Sequence, residues 1–166
     1  MSACFDLSAS VLRPMSLAGL DGVMALEMGV YPFPWSRGNF VDSLAAHYTA
    51  WTLNRPTGEL LGYCVAMAGV AEMHLLNITV APAVQRHGHA RRMLAALVRL
   101  CATTGADRLW LEVRASNGEA RAAYARLGFS EVGLRKGYYP APGGRREDAV
   151  VMSLDVAAAE GEHALD

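Results

Sequence analysis

The stretch Ile78-Thr79-Val80-Ala81-Pro82-Ala83-Val84-Gln85-Arg86-His87-Gly88-His89-Ala90 decides the fold. Its first half is rich in strand formers, and Ala81-Pro82 stops it: proline has no N–H to give a ladder and restrains the residue before it. Its second half opens a helix, in which Ala90, Met93, Leu94, Leu97 and Cys101 form an apolar stripe over about 88–104, with Gly105 at the end. A strand that turns through a glycine-containing loop into a long helix makes an anion site. The helix start offers unpaired N–H groups and partial positive charge, small residues at Gly88 and Ala90 let a phosphate approach, and Arg86, Arg91 and Arg92 add charge. Taken alone, the loop is equally consistent with a plain helix start beside solvated arginines. It is not a dinucleotide fingerprint, which needs three glycines at set spacing.

Working outward, a strand at Met73–Val80, this helix and a strand at Arg108–Arg114 have the length of a crossover unit, which predicts two neighbouring parallel strands. Upstream, Tyr48–Asn54 and Leu60–Gly69 flank the turn composition Arg55-Pro56-Thr57-Gly58-Glu59 and predict a hairpin. Two helices come before any sheet. One follows Ser16, with Leu17, Leu20, Met24 and Met28 at helical spacing up to Gly29; the other is capped by Ser36, with Phe40 and Leu44 on one face. Downstream, Asn117 caps a shorter helix through Leu127, Gly128 ends it, and strands at Ser130–Leu134 and Asp148–Val156 flank a glycine- and proline-rich loop over 136–146. Residues 157–166 show no core-facing pattern and read as a flexible tail, leaving 1–156 as a single domain.

Composition narrows the function. The 166 residues are 52% apolar and 19% charged with a net charge of -1, a globular profile with no global attraction to nucleic acid or anionic membrane. Cys4, Cys64 and Cys101 are odd in number and have no C-x-x-C pair, which suits reduced thiols. The N-terminus has no basic-then-apolar block, and the run Leu60–Ala71 is about half of the roughly 20 residues a membrane span needs. A cytoplasmic location is expected. His87 and His89 form an incomplete metal set, so no metal is expected, and no serine or cysteine stands in a nucleophile motif.

The Gln-x-x-Gly-x-Ala run resembles the pyrophosphate signature of the GCN5-related N-acetyltransferases (GNAT), with Ala90 where glycine is commoner. The order of elements matches nearly throughout. Phe33-Pro34-Trp35-Ser36, Trp110-Leu111-Glu112-Val113-Arg114-Ala115-Ser116-Asn117, Leu127-Gly128-Phe129, Tyr138-Tyr139-Pro140 and Arg146-Glu147-Asp148-Ala149 resemble its bacterial ribosomal-protein-alanine acetyltransferase subgroup. The resemblance implies an α/β (α+β) fold, with a mixed, mostly antiparallel sheet splayed between strands 4 and 5 and flanked by helices. It implies acetyl-CoA as co-substrate. Backbone groups of Ile78, Thr79 and Val80 would pair with the pantetheine arm. Arg86, His87, Gly88, His89, Ala90 and Arg91 would surround the pyrophosphate, and Asn117 would contact the cofactor farther along.

By the same resemblance Glu112 would be the general base, Tyr124 the acid that protonates the departing thiolate, and Trp35, Tyr138 and Tyr139 the border of the acceptor site. From the residues alone, Glu112 could be an outward-facing strand carboxylate; buried in its apolar run, its basicity would rise. Tyr124 could be an amphipathic core tyrosine, Tyr138 and Tyr139 the cover of a loop, and Phe33 a packing residue. The acceptor implied is the N-terminal alanine of a ribosomal protein, acetylated by direct transfer in a ternary complex. An α-amine with a pKa of about 8 deprotonates far more easily than a lysine at about 10.4. A small amine or a lysine side chain stays open as acceptor, as does a non-catalytic acyl-CoA-binding module. No direct nucleic-acid contact, no membrane association, and a monomer or weak dimer are expected.

Overall fold

A computed structural model describes residues 9–163; Cys4 lies outside them. The described residues form seven strands and five α-helices: β1 (Val11–Pro14), α1 (Leu20–Val30), α2 (Arg37–Ala45), β2 (Thr49–Asn54), β3 (Leu60–Ala68), β4 (Glu72–Val80), α3 (His89–Thr104), β5 (Arg108–Arg114), α4 (Gly118–Arg126), β6 (Ser130–Ala141), β7 (Arg145–Asp155) and α5 (Val156–His163). The strand order is β1-β2-β3-β4-β5-β7-β6. The β1–β2, β2–β3, β5–β7 and β6–β7 pairs are antiparallel, whereas β4 and β5 are parallel, their register running from Glu72↔Arg108 to Leu75↔Leu111, short of both strands' C-terminal ends. The crossover expected from the strand–helix–strand spacing is therefore present. The sheet is mixed and mostly antiparallel, as the resemblance implies.

Two compact units divide these elements, one made of the residues through Met67 with Asn77–Ala95, the other of Ala68–Leu76 with the chain from Ala96 onward. In the first, α1 buries Leu20, Val23 and Glu27, while Leu17 and Met28 stay 60% and 65% exposed. The expected apolar stripe therefore holds at Leu20 but not at Leu17 or Met28, and a glutamate sits on the buried face. Ser36 caps α2 through a reciprocal pair with Asn39, which satisfies two helix-start donors, and Phe40 is fully buried. β1 precedes both helices and pairs with β2, a strand the sequence reading lacks. Four residues with a proline carry too little period-2 signal to be seen. Gly62 is required where β3 passes β4, because a Cβ there would overlap the Thr79 carbonyl oxygen.

In the second unit, β5 alternates strictly: Leu109, Leu111 and Val113 are buried, and Trp110, Glu112 and Arg114 take the other face. Asn117 caps α4 by accepting from the Ala120 N–H at 3.1 Å. The 136–146 loop is mostly strand, since β6 and β7 continue through it to a single turn at Pro142–Gly144, with a register shift between Arg135 and Tyr139. Glycine at 137 adopts φ 57° there, which explains why the composition looked like a loop. The stretch read as an unpatterned tail begins with a helix, α5, whose Val156 and Ala159 are buried. Among the described residues no helix is long and apolar enough to cross a membrane.

Candidate active site

In the second unit the site grows from one strand. His74 pairs with Trp110 across the parallel β4–β5 register, and Glu112 follows two residues on, so its side chain shares a face with both. That side chain is only 7% exposed. Its Oε2 bonds His74 Nε2, and its Oε1 forms an ion pair with Arg135, 3.1 Å from Nε. Arg135 extends from β6 and lies 5.6 Å from the centre of the Tyr138 ring, which meets the Tyr139 ring edge-on at 4.9 Å. Arg114 lies over Tyr139 at 4.6 Å and binds Glu147 and the Pro140 carbonyl, both at 2.7 Å.

Burial pushes the Tyr139 phenol well above its ordinary value, with the charge of Glu112 adding to the shift. The hydrogen bond from Arg114, reinforced by Ser116, holds the Glu147 carboxyl below the usual carboxylate range. Glu112, Tyr138 and Tyr139 therefore belong to one linked cluster. Tyr124 lies on α4 with its ring edge-on to Phe129 at 5.7 Å. Trp110 Nε1 is buried with no protein partner.

In the first unit a different network holds the strand end and the aromatic loop. Glu27 Oε1 accepts the Trp35 N–H at 2.9 Å, and Oε2 accepts from Tyr63 Oη and from Asn77 Nδ2 at 3.2 Å. Thr79 donates to Asn77 Oδ1 at 2.9 Å and shares a 2.8 Å bond with Tyr31 Oη, which also donates to the Ile78 carbonyl at 3.2 Å. One of the backbone groups expected to meet a pantetheine arm thus already has a partner. Trp35 packs on Phe40 at 5.1 Å, whereas Phe33, expected in the core, is 41% exposed.

The Gln85–Ala90 loop is shaped by two left-handed residues, Arg86 at φ 63° and Gly88 at φ 82°. Such a conformation at a non-glycine costs on the order of 1–3 kcal/mol, and Gln85 just before it is in extended backbone. Gln85 ties the loop by donating to the Val80 carbonyl at 3.1 Å, and His87 Nδ1 bonds the Gln85 carbonyl at 2.8 Å. Arg92 reaches back to Ser10 at 2.6 Å. The His89 ring is buried, and neither of its nitrogens has a protein partner. Burial lowers its pKa, with the charges of His87, Arg55 and Arg92 contributing. Among the described residues no group of three or more His, Cys, Asp or Glu is arranged to hold a metal.

His74, Arg135 and Glu27 are the residues the sequence did not single out. A glutamate four residues after Val23 on the buried stripe was the available signal for Glu27; for His74 and Arg135 the pairing register was needed.

The chain belongs to the acetyltransferase (GNAT) family, whose model matches residues 20–129, and it is an acyltransferase by class. It is 34% identical to the ribosomal protein bS18-alanine N-acetyltransferase of Escherichia coli K12, over 89% of this chain and 99% of that one. Its identity to the same-named enzyme of Haemophilus ducreyi is 36%, over 78% and 88% of the two chains. The crystal structure of the ribosomal-protein-S18-alanine N-acetyltransferase from Escherichia coli superposes with a TM-score of 0.79, covering 89% of this chain and 94% of that one.

Proposed function

We propose that this protein transfers acetyl from acetyl-CoA to the N-terminal alanine of a ribosomal protein, the acceptor that its relatives' names specify. The observation that carries the chemistry is the secluded Glu112 carboxylate, linked through Arg135 to the Tyr138–Tyr139 pair. Glu112 accepts the proton of the α-ammonium, directly or through a water, freeing the nitrogen lone pair to attack the thioester carbonyl. As the C–N bond forms and the C–S bond breaks, Tyr124 gives its phenolic proton to the sulfur; the second proton of the now cationic nitrogen leaves to water, which returns one to Tyr124, and Glu112 releases its own to solvent to complete the cycle. The backbone of Ile78, Thr79 and Val80 would hold the pantetheine arm. Arg86, His87, Gly88, Ala90 and Arg91, with the backbone of His89, would hold the pyrophosphate, and Asn117 would use its amide, its oxygen being committed to the cap. Tyr138 and Tyr139 would border the acceptor, and Trp35, packed on Phe40, would shape its loop. The protein acts in the cytoplasm, without metal, nucleic acid or membrane, as a monomer or weak dimer.

Two peptides test the acceptor: one starting with a free alanine, the other N-terminally blocked and containing lysine. Acetylation of only the first is expected; transfer to the blocked peptide would move the assignment to a side-chain enzyme. Tyr124→Phe should lower kcat by about 10²-fold or more, within the range of general acid catalysis, and a wild-type rate would remove Tyr124 from the mechanism.

A further inference from the structure

We infer that His74 is a positioning residue that fixes the Glu112 carboxylate for proton removal; the inference rests on Glu112 being the base. A glutamate has three side-chain torsions, and a strand backbone fixes none of them beyond the first. Here both oxygens are held, Oε2 by His74 Nε2 and Oε1 by Arg135 Nε. A carboxylate offers about four lone-pair sites, so two remain directed away from these partners, towards an amine proton or a bridging water. Of the two clamps, His74 is the rigid one. It sits in the parallel ladder opposite Trp110, and its side chain is 25% exposed; Arg135 hangs from the irregular part of β6 and is 55% exposed. In its neutral form an imidazole with the proton on Nε2 donates one bond without adding a second positive charge beside the base.

The test is a kinetic set on the intact protein with an alanine-starting peptide: wild type, His74→Leu, His74→Gln, Glu112→Gln and the Glu112→Gln/His74→Leu double variant. His74→Leu is expected to lower kcat by about tenfold to a hundredfold, the size of effect that follows misplacement of a reacting group, with KM for acetyl-CoA and the thermal midpoint near wild type. His74→Gln places an amide N–H close to the Nε2 position and should recover most of that loss. In the Glu112→Gln background His74→Leu should cost nothing further. A wild-type kcat for His74→Leu beside an inactive Glu112→Gln would overturn the role of His74 alone. Equal losses in the Leu and Gln variants, with a lowered thermal midpoint, would reduce His74 to a structural residue. An active Glu112→Gln would remove the base and this inference with it.

Discussion

Two glutamates, one in each compact unit, are both nearly shut off from water and have different partners. Glu27 is 1% exposed, and its partners are a backbone N–H, a phenol and an amide. Glu112 has a side chain 7% exposed, and its partners are an imidazole and a guanidinium that both reach solvent. A buried carboxylate ringed by neutral donors on three different segments ties those segments together; it is architecture. A carboxylate clamped by two basic groups at the edge of water keeps lone pairs available, which is what the proposed role in proton transfer needs. Burial of an acidic residue does not by itself mark a catalytic site, and the kind of partner is what sets these two apart.

That contrast can be broken from either side. The largest expected effect on stability is at Glu27: Glu27→Ala strands the Tyr63 hydroxyl, the Asn77 amide and the Trp35 N–H, and at about 1–3 kcal/mol for each buried donor left unsatisfied should cost about 3 kcal/mol or more. Urea unfolding measures it, and a loss under 1 kcal/mol would show the network to be incidental. Gly62→Ala forces a methyl group against the Thr79 carbonyl and should cost about 1–3 kcal/mol by overpacking. It should also weaken acetyl-CoA binding, because the displaced strand end carries Ile78–Val80.

Smaller effects follow from pH. Burial raises the phenols of Tyr31 and Tyr63, so the stability they contribute is fully present below their unfolded value of about 10 and is lost as pH rises towards the folded values. The thermal midpoint should fall above pH 10, and less so in Tyr31→Phe. His89 has the opposite sign. Its folded pKa is lowered, so its contribution is present above about 6.5 and is lost as pH falls below that. His89→Leu, which replaces a buried ring without partners by an apolar side chain, should flatten the acid side of the stability profile; an unchanged slope would show that His89 is not the group titrating.

Much of the frame was legible because period and punctuation agree. Ala81-Pro82 marks the end of β4, Ser36 and Asn117 sit at the helix starts where their side chains cap, and the α3 stripe buries Met93, Leu94, Leu97 and Cys101. β1 was hidden by its shortness, and the extension of β6 and β7 through 136–146 by glycines and prolines that mark an irregular hairpin as readily as a loop. For the site, Glu112 could be singled out only by resemblance, because strand alternation assigns a face without saying whether that face is covered. His74 and Arg135 depend on which strands are neighbours, a long-range property that no local pattern carries.

The claim that separates the two glutamates is tested most directly by single-turnover acetylation of an alanine-starting peptide at saturating acetyl-CoA, with wild type and Glu112→Gln matched for thermal midpoint. A loss of about 10²- to 10⁴-fold in rate, the range for a general base, with acetyl-CoA affinity retained, is the expected result. A wild-type rate from Glu112→Gln would contradict the account.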